Sequence, residues 1–145
     1  MKHTISIALV LGAIAGALLM ACEDPRTGRV KDQLVGTWFA ESADHGDITR
    51  RVLTMQADGH VHETVRFRAS NGASDDHTRE GEWSFDGANF KRKYTYVDGK
   101  PLTNAYFIYE TYELRSVTDT ELVAASKAGR GEVRFQRAGA SQSKP

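Results

Sequence analysis

The chain predicts an all-β fold, an eight-stranded antiparallel up-and-down barrel, and three observations carry that expectation. From Val35 onward, runs of β-branched and aromatic residues alternate with polar ones. Asp58-Gly59, Asp86-Gly87 and Asp98-Gly99 punctuate these runs as hairpin-type turns, because Gly accepts positive φ and Asp hydrogen-bonds within its own turn. No 11-residue window in this part carries a helical stripe.

The alternation places strands at residues 36–42, 48–57, 60–69, 78–86, 89–98, 104–116, 121–127 and 132–138. Thr118-Asp119-Thr120 and Gly129-Arg130-Gly131 supply two further turns, residues 70–77 read as a surface loop, and residues 139–145 as a disordered polar tail. Consecutive strands with short turns form a meander, and a meander of eight leaves two bare edges unless it closes on itself. A barrel of eight is wide enough to be filled by its own side chains or to hold one small ligand. A sandwich of two antiparallel sheets satisfies the same strand list and stands as the alternative.

Composition narrows the function classes. The 145 residues fit one small domain. Nineteen basic against nineteen acidic side chains offer no cationic surplus for phosphates, which argues against nucleic acid as a partner. Six Phe, five Tyr and two Trp are too many for a disordered chain. A single Cys excludes an internal disulfide framework and a multi-cysteine zinc site.

That Cys, at position 22, gains its meaning from what precedes it. Lys2 and His3 are followed by an uncharged apolar run from Ile5 to Ala21, the pattern of a secretory signal peptide over residues 1–21. Leu19-Met20-Ala21-Cys22 resembles a bacterial lipoprotein lipobox, with Met20 departing from the usual small or branched residue. The resemblance implies cleavage before Cys22, a thioether-linked diacylglycerol on it and acylation of the new amine, including palmitate-type chains. Two or more chains make a stable membrane anchor. Cleavage removes Lys2 and no acid, leaving 18 basic against 19 acidic side chains. Residues 22–32 then read as the acylated Cys and a tether, and residues 33–138 as the barrel domain. In enterobacterial lipoproteins an Asp directly after the Cys favours inner-membrane retention; here Glu23 takes that place and Asp24 the next, so the choice of membrane stays open, with a cell-envelope location on the outer membrane facing the periplasm favoured over the inner membrane.

Leu34-Val35-Gly36-Thr37-Trp38 is similar to the Gly-x-Trp entry of lipocalins, and the strand spacing down to Val133-Arg134-Phe135-Gln136-Arg137 resembles bacterial lipocalin-like domains. The likeness covers residues 33–138, without a second or third lipocalin motif. It implies that Trp38 plugs the barrel floor and that a basic residue of the last strand lies across it. Arg137 is the first candidate and Arg134 the second, and a guanidinium over an indole face supplies the physical reason.

Period-two alternation assigns faces inside such a barrel. Val61, Val65 and Phe67 share a face with Glu63; Phe90, Tyr94 and Tyr96 share one with Arg92; Tyr106, Ile108, Tyr112 and Leu114 share one with Glu110. A charge among apolar neighbours must be paired, so Arg92 is expected to meet Glu63, Glu110 or an anionic ligand head group. A bulge or a position at the open rim would instead leave these charges in water. Glu63, Arg92, Tyr94, Tyr96, Tyr106 and Glu110 are therefore the candidate ligand-binding residues. Phe107 and Tyr109 make the opposite face of the sixth strand aromatic as well, a surface that suits a protein partner, a packed loop or a second protomer.

His60 and His62 stand two apart, a spacing that permits metal binding with a third ligand, but their strand turns Val61 and Val65 inward and both imidazoles outward, so no metal is expected. No Gly-x-Ser-x-Gly turn or phosphate loop occurs, no cofactor is implied, and the chain does not read as an enzyme. The expectation is a lipid-anchored barrel that binds a small apolar or amphipathic ligand. The alternative is a protein-interaction module, an assembly factor or enzyme inhibitor, whose barrel is filled.

Overall fold

The computed structural model describes residues 24–129 and 131–139, so the signal peptide, the lipobox with Cys22 and most of the predicted tail lie outside the described residues. The strands are β1 (Gly36–Asp44), β2 (Asp47–Met55), β3 (His60–Arg68), β4 (Ser74–Phe85), β5 (Asn89–Val97), β6 (Lys100–Pro101), β7 (Ile108–Val117), β8 (Glu121–Ser126) and β9 (Glu132–Arg137). All pair antiparallel. The ladder runs β1 to β5 in sequence order, passes from β5 to β7, β8 and β9, and closes where β9 meets β1. The result is an eight-stranded up-and-down barrel, the architecture the lipocalin resemblance implies, with the two-residue β6 as an extra flap on β5. Pairing on both flanks of every barrel strand rules out the sandwich.

The ring closes because each strand alternates. Leu53 and Met55, Val61, Trp83 and Phe85, Phe90, Tyr112, Leu122 and Phe135 face inward and form one buried cluster with Trp38 and Leu34. Among the described residues, this core and the strand ladders lie within residues 24–139.

The segment expected to be a tether is instead a helix, α1 (Pro25–Leu34). Asp24 caps it by accepting the Arg26 amide at 2.9 Å, and Pro25, whose missing N–H costs nothing in the first turn, opens it. Val30 and Leu34, four apart, point into the barrel cluster, and Leu34 is fully buried. The folded unit thus begins about eight residues earlier than residue 33.

Three other expectations change. The loop at 70–77 shrinks to a turn over residues 69–73, because β4 starts at Ser74 and carries Asp75, Asp76 and His77 in register with β3. Tyr96 was expected inside, but the β4–β5 register shifts at Glu80/Gly81, which inserts Thr95 as a bulge and turns Tyr96 outward opposite Glu80. Tyr96 is 45% exposed. Tyr106 belongs not to a strand but to a short 3-10 helix (Asn104–Tyr106), and it is 73% exposed.

Gly81 makes that bulge feasible. A Cβ there would collide with the Lys93 carbonyl oxygen and stand 2.8 Å from the Tyr94 Cα, and both are backbone atoms that cannot yield without moving β5. Gly81→Ala is expected to destabilise by about 1–3 kcal/mol, the usual range for forced overpacking. Urea unfolding checks this, and a midpoint equal to that of the parent would show that the bulge absorbs a methyl group.

Candidate functional site

Trp38 and Arg137 build the closed end. Gly36 adopts φ +139°, open to residues without a Cβ, and a Cβ at that position would strike the Arg137 guanidinium. The absent side chain lets Arg137 lie over the indole at 4.2 Å from the ring centroid. The same guanidinium donates from Nη2 to the Gln33 carbonyl at 2.8 Å, from Nη1 to the Val35 carbonyl at 3.0 Å and from Nε to the Asp119 carbonyl at 2.6 Å. It therefore satisfies carbonyls at the C-terminal end of α1, where a cation is favoured. The indole Nε1 donates to the Leu34 carbonyl at 2.9 Å. Helix, first strand and last strand meet in this one knot. Arg134 is exposed and pairs with Glu121 and Glu132.

Above this floor the interior holds ions. Glu63 on β3, Arg92 on β5 and Glu110 on β7 are buried, Arg92 at 1% exposure. Arg92 stands directly across the ladder from Glu110 and donates to it from Nη2 at 2.5 Å, and it donates from Nη1 to Glu63 at 3.2 Å. It meets both carboxylates rather than one. The Tyr94 hydroxyl donates to the other oxygen of Glu63 at 2.9 Å, and the guanidinium lies 4.9 Å from the Tyr112 ring centroid and 5.6 Å from that of Tyr94. Among the described residues its Nε–H is buried without an acceptor.

Burial pushes the Glu63 carboxyl up, but Arg92, Arg51, the Tyr94 hydroxyl and Arg79 more than reverse this and hold it below the ordinary carboxylate range. Burial likewise weakens the charged form of Arg92, and its neighbours Tyr94, Glu63 and Glu110 restore it, so its pKa lies above the ordinary value. Burial raises the Tyr94 phenol, which stays a neutral donor.

Two cations that the sequence reading passed over complete the network. Arg51 on β2 donates from Nη1 to Glu63 at 3.2 Å, and Arg79 on β4, across the ladder from Glu63, approaches Glu63 at 3.6 Å and Glu110 at 3.4 Å, also through Nη1. Their side chains are 27% and 24% exposed, which places them where the filled interior meets the mouth.

The mouth opens along a seam. β1 and β9 share only the pairs Trp38↔Arg137 and Phe39↔Gln136, while β1 continues to Asp44 on its β2 side. Where they part lies a cleft of about 280 Å³ lined by Ala40, Ser42, Thr49, Arg51 and Val133, with Glu41, Glu132 and Arg134 around it.

His77 stands on the rim. Its Nδ1 lies 2.9 Å from Asp98 and its Nε2 3.0 Å from Asp75, so both nitrogens donate only as imidazolium. The hydrogen bond to Asp98, then the charges of Asp75 and Asp98, raise its pKa. With a raised folded pKa, the stabilisation is present in full below the unfolded value of about 6.5 and is lost as pH rises through the folded one. A pH scan of thermal unfolding from about pH 5 to about pH 9 is expected to show the parent's advantage over His77→Phe shrinking on the alkaline side. A constant gap would assign the bridge no role.

Outside the barrel, a groove of about 500 Å³ runs over β3, β4, β5 and β7, lined in part by His60, Glu82, Lys91, Lys93, Tyr109 and Thr111. Tyr109 is 67% exposed, and Phe107 lies beneath the Lys93 ammonium at 4.8 Å. His60 points outward and pairs with Asp58, and His62 is half-buried. Among the described residues no three His, Cys, Asp or Glu side chains are placed to hold a metal ion, and no helix is long and apolar enough to cross a membrane.

Of the candidate ligand-binding residues, the structure gathers Glu63, Arg92, Tyr94 and Glu110 into one network and leaves Tyr96 and Tyr106 on the outside. The chain matches no model of a known protein family and no curated protein.

Proposed function

We propose that this chain is a lipid-anchored envelope protein whose barrel binds a small amphipathic molecule at its mouth. The cleft at the β1–β9 seam carries the reading, because it sets the polar Arg51, Ser42 and Thr49 beside the apolar Ala40 and Val133, and its Arg51 is a member of the ion network. A purely apolar ligand suits the interior less well, since aromatic side chains fill its lower part and Arg92 with two carboxylates its middle. The anchor rests on Cys22 and the lipobox before it. Native mass spectrometry of residues 23–145 purified from a periplasm tests the binding: a co-purifying small molecule that is lost on denaturation is expected, and a bare protein mass under all conditions would contradict it. Cys22→Ser is expected to release the chain from membranes, and retention would contradict the anchor.

A protein partner on the outer groove is the second reading, favoured by the exposure of Tyr109, which lines it. It predicts that Tyr109→Ala abolishes association with an envelope protein while Arg51→Met leaves that association intact.

A further inference from the structure

The charges inside the barrel do not balance. Arg51, Arg79 and Arg92 face Glu63 and Glu110, so the network holds one more cation than anion. Among the described residues, four further ionisable groups share the inward phase at this end: His77 and Asp75 on the rim, held with Asp98 in a set largely in water and therefore screened, and Asp44 and Asp47 where β1 turns into β2, of which Asp44 is exposed beside His45 and Asp47 accepts the Ser70 amide. The surplus falls at the mouth, since Arg92 is enclosed by both carboxylates and the two half-buried arginines share what remains of them.

Geometry adds to the count. Arg51 and Arg79 take the two oxygens of the same Glu63 carboxylate, which keeps their guanidinium groups within reach of one small molecule. Each touches the carboxylates through Nη1 alone among the described residues, leaving the Nη2 and Nε donors of a planar fork. Such a fork matches a carboxylate in two parallel hydrogen bonds. Arg51 also lines the cleft, where Ala40 and Val133 offer apolar surface for whatever the anionic group is attached to.

Resting on the small-ligand reading above, we propose that the ligand is an anionic amphiphile: an anionic group, carboxylate by preference, on the free fork of Arg51 with Arg79 behind it, and a short apolar tail against Ala40 and Val133. The cleft volume suits a short chain rather than a long one.

The test is calorimetric titration of residues 23–145, shown folded by circular dichroism, with octanoate, octyl phosphate and octanol. Octanoate is expected to bind at least about tenfold more tightly than octanol, in line with a charge-assisted bidentate contact. In Arg51→Met that preference should collapse to about twofold or less, and in Arg79→Met it should fall in part, while the outward-facing Arg50→Met keeps it. Octyl phosphate binding above octanoate would identify the anionic group as a phosphate within the same proposal. Equal binding of octanoate and octanol by the parent, or a preference that survives Arg51→Met, would overturn the anion and spare the small-ligand reading. No binding by any of the three, together with a bare protein in mass spectrometry, would overturn both. If Arg51→Met fails to fold, Arg51→Lys, which keeps the charge and removes the fork, decides through the same preference.

Discussion

Arg92→Ala is expected to destabilise the barrel by about 3–5 kcal/mol, the loss that follows when one partner of a buried ion pair is removed. The deletion leaves Glu63 and the largely buried Glu110 without the guanidinium that stands between them, and it opens a void beside Tyr94 and Tyr112. A second variant separates charge from packing. Removing all three groups together, with Arg92→Met, Glu63→Leu and Glu110→Leu, is expected to be neutral or stabilising, because well-packed apolar residues avoid the desolvation that ions must overcome. Denaturant titration of both proteins reads the difference. A single variant with parental stability would show that the network is solvated.

The network also sets the acid limb of stability. Glu63 has a lowered folded pKa, so its contribution is present above the unfolded value of about 4.5 and is lost as pH falls through the folded one. Glu63→Gln is therefore expected to flatten the fall in stability on the acid side while lowering the neutral plateau.

Trp38→Ala should cost about 3–5 kcal/mol, typical of deleting a buried indole. More than the cavity is lost, since the indole holds the Leu34 carbonyl and carries Arg137, which in turn bonds the last carbonyls of α1. Hydrogen exchange is expected to show α1 and the β1–β9 ladder losing protection together. Loss confined to the immediate neighbours of Trp38 would mean that the helix docks independently.

Much of the barrel was legible in the alternation of residues, because a strand with one wet face and one buried face must alternate, and the Asp-Gly pairs mark where it turns. The floor was legible too: Gly36-x-Trp38 and Arg137 meet as the resemblance implies. Helix α1 was missed for want of apolar periodicity, although Asp24-Pro25 is a start signal of N-cap and first-turn proline, with Val30 and Leu34 four apart. Tyr96 and Tyr106 were misplaced because period two holds only while the ladder is regular, and Thr95 bulges while residues 104–106 coil. Register breaks depend on two strands at once, so one strand's alternation does not reveal them. Arg51 and Arg79 were visible in principle. Arg51 shares a phase with Leu53 and Met55, and Arg79 with Gly81, Trp83 and Phe85; extending each apolar face two residues toward the mouth would have found both.

The barrel carries a sealed Arg92 network below two arginines that still have donors to give. Nitrogen-15 NMR of the arginine Nε–H groups, with and without octanoate, tests it most directly. The Arg92 signal is expected to exchange slowly in both states, with Arg51 and Arg79 signals that exchange quickly alone and become protected when octanoate is added. An Arg92 signal that exchanges as fast as that of exposed Arg50, or Arg51 and Arg79 signals indifferent to octanoate, would contradict it.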